Sequence, residues 1–486
     1  MSVLGRIQTG PFQLAVAILA ALPAMVSEIT KQRFDAFAAY TRRPEAMMIS
    51  KEVAWFEVKN VLLGIVLFDA SDGDFGGIVL GRDEVGRFRF IDDAKDHASD
   101  DSTGFFDTSE VAATELKKVM ERIAATGQTV FPQGGVRKRR LDPIKPVIAV
   151  ERRHPGFRKL SEGERYSPAF EVVKEMLNFY EDPDGNFIEQ FQSTGFDARL
   201  WELYLFGVFT EMGFLIDRTH NAPDFACNHF GQKTYVEAVI LGQTQGRADN
   251  PVPESAEQTR ELQHGYIAHR FANALTAKLE KRYWGLEHVK NHPLVFAIAD
   301  FSAPASMLWT YNALPMFLYG YEYDWHKDAQ GKLVIKPKKI EKHVYKGREI
   351  PSAFFCWDDA ENISAVLFSN SGTISKFNRI GKIAGFGSPR TRMIRLGECV
   401  RHDTDSATPD RFEFEVHDPR YREAWAESVS IFHNPRAKYQ LDPDHFPGAT
   451  HHFLDEQGFT HTFMGKFHQF WSITQIWVDG VDHAPG

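Results

Sequence analysis

Apolar and polar positions alternate in short runs over the first 150 residues. The run Val61-Leu62-Leu63-Gly64-Ile65-Val66-Leu67-Phe68 predicts a buried strand. Phe75-Gly76-Gly77-Ile78-Val79-Leu80 and Arg87-Phe88-Arg89-Phe90-Ile91 predict two more. The rhythm then changes. Leu116, Val119, Met120 and Ile123 fall at helical spacing behind Thr108-Ser109, with Glu110 and Glu115 near the start, where the helix dipole favours acid. Residues 1–150 are therefore expected to form a small α+β unit. Residues 13–26 are nearly all apolar, but Pro23 interrupts them and the run is too short to span a bilayer. No small-x-small cleavage site follows, and the pattern continues through Ile29, Phe34 and Phe37. A core helix is expected there rather than an export signal.

Beyond residue 160 the periods predict helix, helix, strand, strand, helix, strand. The helices cover 168–180, 198–212 and 254–283, and the strands 223–228, 233–241 and 293–299. That order predicts an α/β fold, a mixed sheet flanked by helices, over residues 151–385. Ile363 to Phe368 adds a strand. Residues 386–486 are rich in His, Pro, Phe and Trp without a long helical period, and are expected to form a β-rich C-terminal extension.

Composition narrows the picture in three ways. At 486 residues the chain is long enough for two or three domains, and 40 phenylalanines supply dense cores. A net charge of -9 argues against a protein that coats nucleic acid with its whole surface. Local basic patches stand out against that background: Arg137, Lys138, Arg139 and Arg140, then Lys336, Lys338 and Lys339 within a second basic stretch. Cys227, Cys356 and Cys399 are far apart, with no C-x-x-C pair. Neither a zinc ribbon nor a disulfide framework is predicted, and a reduced, cytoplasmic setting without a membrane partner is expected.

The candidate chemistry lies in three acids. Asp197 and Gly213 bracket a helix whose residues 200–209 are apolar except for Glu202. A helix apolar all round is buried, so Glu202 needs a partner such as Arg199 or a functional reason. Asp224 follows Pro223 at the start of a strand, where an ordinary turn aspartate is the plain alternative. Glu237 lies mid-strand between Val236 and Val239, on the face of Tyr235 and Val239. Three carboxylates on core elements within 36 residues suggest a hard-cation site and phosphoester chemistry. His445, His451, His452, His461 and His468 form a looser group, read as packing or surface residues. Asp300, at the end of an apolar strand, is read as a cap.

A helix glutamate, an aspartate in Pro-Asp at a strand start and a glutamate on the neighbouring strand resemble the PD-(D/E)xK, or restriction-endonuclease-like, nuclease superfamily over about 195–300. The resemblance implies a restriction-endonuclease-like core and Mg²⁺-dependent (or Mn²⁺-dependent) phosphodiester hydrolysis, with DNA the expected partner. It implies metal ligation by Asp224, Glu237 and the carbonyl of Ala238, with Glu202 as an additional acid. The basic patches would then contact phosphates. The family's lysine, two residues after the glutamate, is Val239 here. Some members carry that lysine on the following helix. Here the apolar line Ile267, Phe271, Ala274, Leu275 extends at heptad spacing from Phe271 to Lys278, the expected substitute. Two alternatives stay open: an inert nucleic-acid-binding scaffold, and an interaction or regulatory protein with structural acids. A homo-oligomer or a protein partner fits any of the three.

Overall fold

The computed structural model describes residues 25–94, 105–134, 140–243, 251–303, 305–403, 405–465 and 467–480. The chain divides into two compact units, one holding residues up to 41 and 45–139, the other 42–44 and 140–486. In the first, β1 (Ser27–Ile29), β2 (Ser50–Val58), β3 (Leu62–Asp69), β4 (Phe75–Arg82) and β5 (Phe88–Ala94) form an antiparallel meander. Helix α1 (Lys31–Ala38) opens at Thr30, whose hydroxyl accepts from Arg33 N at 3.2 Å. Helix α2 (Ser109–Ala125) lays Leu116 and Met120, both fully buried, against the sheet. Its approach is close at Gly64, where a Cβ would stand 2.5 Å from Met120 Sδ and push that side chain aside. The expected α+β unit is present, with one correction. The chain is extended at Ser27–Ile29, not helical, because these residues pair with β2. Residues 13–24 of the expected core helix lie outside the described residues.

The second unit is built on an eight-stranded mixed sheet. It begins with β6 (Leu215–Asp217), β7 (Phe225–His229) and β8 (Gln232–Leu241), all antiparallel neighbours. The parallel strands β9 (Leu294–Asp300) and β14 (Ala365–Phe368) follow. Every residue of β9 is buried, as a central parallel strand requires. Helix α3 (Ser167–Phe179) precedes α4 (Phe196–Glu211), which packs on one face of this sheet. The expected helix at 254–283 crosses from β8 to β9 as two helices, α5 (Ala256–Leu262) and α6 (Ala268–Leu279), joined by a π-turn at Gln263–Ile267. Helix α6 buries Phe271, Ala272 and Leu275 in the same apolar cluster as Val239 and Phe296. Helix α4 begins after Gly195, not at Asp197, which instead sits in its first turn.

Helix α7 (Ala313–Tyr319) leads into two hairpins, β10 (Tyr321–Lys327) with β11 (Leu333–Lys339), and β12 (Lys342–Tyr345) with β13 (Arg348–Pro351). Helix α8 (Ile374–Ile383) follows β14. Then β15 (Thr391–Cys399) pairs with β16 (Asp410–Glu415) and with β20 (Gln469–Val478) as a separate three-stranded sheet. The C-terminal part is β-rich as expected, but residue 386 is no boundary of the main sheet. Strands β17 (Ser430–His433), β18 (Thr450–Leu454) and β19 (Thr460–Phe463) continue that sheet beyond β14. These strands carry Ser, His and Thr, and the edge strand β19 is largely exposed, so they lack the continuous apolar run that marks β9 and β14. No described helix is long and apolar enough to cross a membrane. The three cysteines are free.

Candidate functional site

Asp224, directly before β7, and Glu237, in β8, are neighbours across the strand pair, and the Glu202 carboxylate is close enough to add to the charge that Asp224 feels. Glu202 enters from α4, with both oxygens taken. Arg199 Nη1, one turn earlier, donates to Oε1 at 2.8 Å and Oε2 at 3.0 Å, and Tyr180 OH donates to Oε2 at 2.6 Å. The ordinary partner foreseen for Glu202, Arg199, is therefore in place. Burial, then Glu202, raises the Tyr180 phenol well above its usual value.

Asp224 and Glu237 are joined by reciprocal backbone contacts. Ala238 N donates to Asp224 Oδ2 at 2.8 Å, and Asp224 N donates to Glu237 Oε2 at 3.3 Å. Phe225 pairs with Val236 in the β7–β8 ladder, so the register sets the two carboxylates side by side. Asp224 is mostly buried and Glu237 is buried. Burial and then the Glu237 charge push the Asp224 carboxyl up to about 8. A like-charged pair of this kind is relieved by a cation or a proton. Just before Asp224, the Ala222 carbonyl accepts from His288 Nε2 at 2.9 Å, which ties the turn to the segment after α6.

Lys278 arrives where the heptad line points. Its Nζ donates to Glu237 Oε1 at 2.5 Å, and Tyr283 OH donates to the same oxygen at 2.7 Å. Burial and Glu237 raise the Tyr283 phenol. Val239, the family's lysine position, is buried and apolar-packed on the same strand face as Glu237. A lysine there would place an ammonium among Phe271, Leu275 and Phe296, whereas one from the last turn of α6 keeps its stem along the helix and 30% of its side chain exposed.

Among the described residues, no group of three His, Cys, Asp or Glu is placed to hold a metal ion. An ion at Asp224 and Glu237 would have to complete its shell with waters and a carbonyl, which suits Mg²⁺ better than a soft metal.

Of the basic residues expected to contact phosphates, Arg137, Lys138 and Arg139 lie outside the described residues. Arg140 is exposed. Lys336, Lys338 and Lys339 are exposed on β11, and Lys338 Nζ pairs with Glu322 Oε1 at 2.7 Å. Glu322 also pairs with Arg260 of α5 at 3.1 Å. Eighteen residues of helix separate Arg260 from Lys278, roughly 27 Å at ~1.5 Å per residue. The hairpin therefore meets this helix pair at the end away from the carboxylates. A cavity of about 800 Å³ opens at that far end, lined by Arg260, His264, Glu322, Tyr323 and Trp325 among others.

Sequence reading missed Tyr180, Arg218 and Tyr283. Arg218 and Tyr283 have no sequence signal beyond closeness to Asp224 and Lys278, which many surface residues share, and Tyr180, far from both in the chain, has none. The C-terminal histidines divide. His451, His452 and His468 are buried together with His433, while His461 is exposed and bonds Asp455 at 2.7 Å. Asp300 Oδ1 accepts from Ser302 N at 2.8 Å within a turn, and the helix cap expected of it is not formed, since the short helix Ser306–Leu308 follows Ala305 without a side-chain cap.

No family model, curated protein or solved structure matches this chain.

Proposed function

We propose that this chain is a Mg²⁺-dependent nuclease with a restriction-endonuclease-like core, acting on DNA. The observation that carries the reading is the Lys278 ammonium 2.5 Å from Glu237, delivered from α6 while Val239 is sealed in the core. The order helix α4, strands β6 to β8, helices α5 and α6, strand β9 supports the reading, with Glu202 on α4, Asp224 directly before β7 and Glu237 in β8. Asp224, Glu237 and the Ala238 carbonyl would hold the ion, which supplies water activation and charge neutralisation at the phosphate when bound.

The chain's own groups have separate tasks in this reading. Tyr283 and Lys278 fix the Glu237 carboxylate through Oε1 and leave Oε2 turned to Asp224. Lys278 keeps a cation beside the reacting phosphate, where negative charge grows in the transition state. Water adds across one P–O bond: its oxygen joins phosphorus, and the leaving oxygen takes a proton. Glu202, saturated by Arg199 and Tyr180, is a positioning group for Arg218 and Asp224 rather than an open ligand.

Glu237→Gln in the full chain tests the reading with plasmid DNA and Mg²⁺. Loss of cleavage with DNA binding retained is expected. Cleavage by both proteins, or by neither, sinks the assignment. Val239 favours a second reading, a catalytically silent nucleic-acid-binding scaffold. It would appear as DNA binding by both proteins with cleavage by neither.

A further inference from the structure

Arg218 follows β6 and enters the exposed residues 219–221. Its guanidinium lies between the Tyr180 ring, 4.3 Å from the centroid, and the Phe225 ring at 4.7 Å. The side chain is 7% exposed. Its one hydrogen bond is long, from Nη2 to Glu202 Oε2 at 3.4 Å. Nε and Nη1 are buried with no hydrogen-bond partner among the described residues. Glu202 does not require this cation, since Arg199 and Tyr180 already serve both its oxygens.

Buried polar atoms are nearly always paired, so two orphan nitrogens on one guanidinium call for an explanation. Burial works against the Arg218 charge, yet Tyr180, Glu202 and Asp224 together hold it protonated. Three carboxylates, Glu202, Asp224 and Glu237, face three cations, Arg199, Arg218 and Lys278. The cations match the carboxylates in number, so a bound divalent ion would leave the cluster with excess positive charge. An anion is the natural complement. A guanidinium with unused N–H groups is suited to phosphate oxygens, which accept several donors at once.

We propose that Arg218 holds a non-bridging oxygen of the substrate phosphodiester, opposite Lys278 across the Asp224–Glu237 pair. Displacement of residues 219–221 opens the guanidinium to the phosphate. This inference rests on the nuclease reading above, and deepens it by naming the group that binds the phosphate.

The test uses the full chain, Arg218→Gln and Arg218→Lys. Binding of a short fluorescein-labelled DNA duplex is measured by anisotropy with Ca²⁺ replacing Mg²⁺, cleavage is measured with Mg²⁺, and melting temperature is followed throughout. Arg218→Gln is expected to bind ~10-fold to ~100-fold more weakly, as loss of a charged hydrogen bond implies. Arg218→Lys should recover part of the binding, yet cleave at least ~10-fold more slowly, because one ammonium cannot replace the fork. Should Arg218→Gln not fold, the cleavage rate of Arg218→Lys decides. Wild-type binding and cleavage in the folded variants overturn the proposal, and the nuclease reading survives if Glu237→Gln still abolishes cleavage. A wild-type chain that neither binds nor cleaves DNA overturns both.

Discussion

Two buried charge clusters in the larger unit differ in how completely their donors and acceptors are paired. The first surrounds Glu423. It accepts from Lys376 Nζ at 2.8 Å, Arg379 Nη2 at 2.7 Å and Nε at 2.8 Å, and Tyr421 OH at 2.6 Å. Arg395 approaches at 3.4 Å and pairs with Glu427 at 2.7 Å. The spare donors are used as well: Lys376 reaches Ala424 O at 2.6 Å and Arg379 reaches Thr474 Oγ1 at 2.6 Å. Burial opposes the Glu423 charge, but Arg379, Arg395 and Lys376 hold its carboxyl well below the usual range. The second cluster, around Asp224, has similar residues and the opposite balance. Like charges sit side by side, Asp224 is lifted to about 8, and Arg218 keeps unused nitrogens. Composition does not distinguish the two. What distinguishes them is whether every donor and acceptor already has a partner.

The comparison is broken most severely at Glu423. Glu423→Ala leaves three buried cations facing one another and should cost ~3–5 kcal/mol, a large share of a domain's margin. Denaturant unfolding measures this, and a loss below ~1 kcal/mol would show that the cluster relaxes into water. The Asp224 side should respond in the other currency. Lys278→Met is expected to lower DNA cleavage by ~10²-fold or more and to cost less stability than Glu423→Ala, since the ammonium is part-exposed and Tyr283 still donates to Glu237. An unchanged cleavage rate would remove Lys278 from the chemistry.

Much of this fold was legible in the sequence where one period ran without interruption. The β3 run, the residues 294–299 run and the Leu116–Met120 stripe each bury one continuous apolar surface, so pattern and packing agree. The 254–283 helix was legible in extent but not in its π-turn, because Gln263–Ile267 keeps an apolar face through the irregularity. The C-terminal boundary was misjudged because β17 to β19 join the main sheet through partners far away in sequence. Within the site, Glu237 and Lys278 were legible because each is a charge on an otherwise apolar line. Arg218 and Tyr283 were not, since their roles arise from three-dimensional neighbours and their local pattern matches an ordinary loop.

A smaller effect sharpens the contrast, because the histidine face provides a third kind of buried polar group, neutral and hydrogen-bonded except at His433 Nδ1. His433 Nε2 and His451 Nδ1 share a hydrogen bond of 2.9 Å, His452 Nδ1 meets Thr462 Oγ1 at 2.9 Å, and His468 Nδ1 meets Thr450 Oγ1 at 2.8 Å. Burial lowers His433 and His452 to about 3 and His468 to about 4. In the unfolded chain these rings titrate near ~6.5, so below that pH the unfolded state binds more protons than the folded one. Their stabilising contribution is complete above pH ~6.5 and falls by about 1 kcal/mol per histidine between pH ~6.5 and ~5.5. Asp224 has the opposite sign. Its folded value near 8 exceeds its unfolded one, so its contribution is greatest at low pH and is lost as pH rises from ~4 through about 8. Glu423, held far below this window, adds no slope. Melting curves from pH 8 to 5 in His452→Gln and Asp224→Asn should therefore change slope in opposite directions. If both variants keep the wild-type slope, neither cluster titrates as its burial requires, and the contrast between a neutral face and an unbalanced one fails.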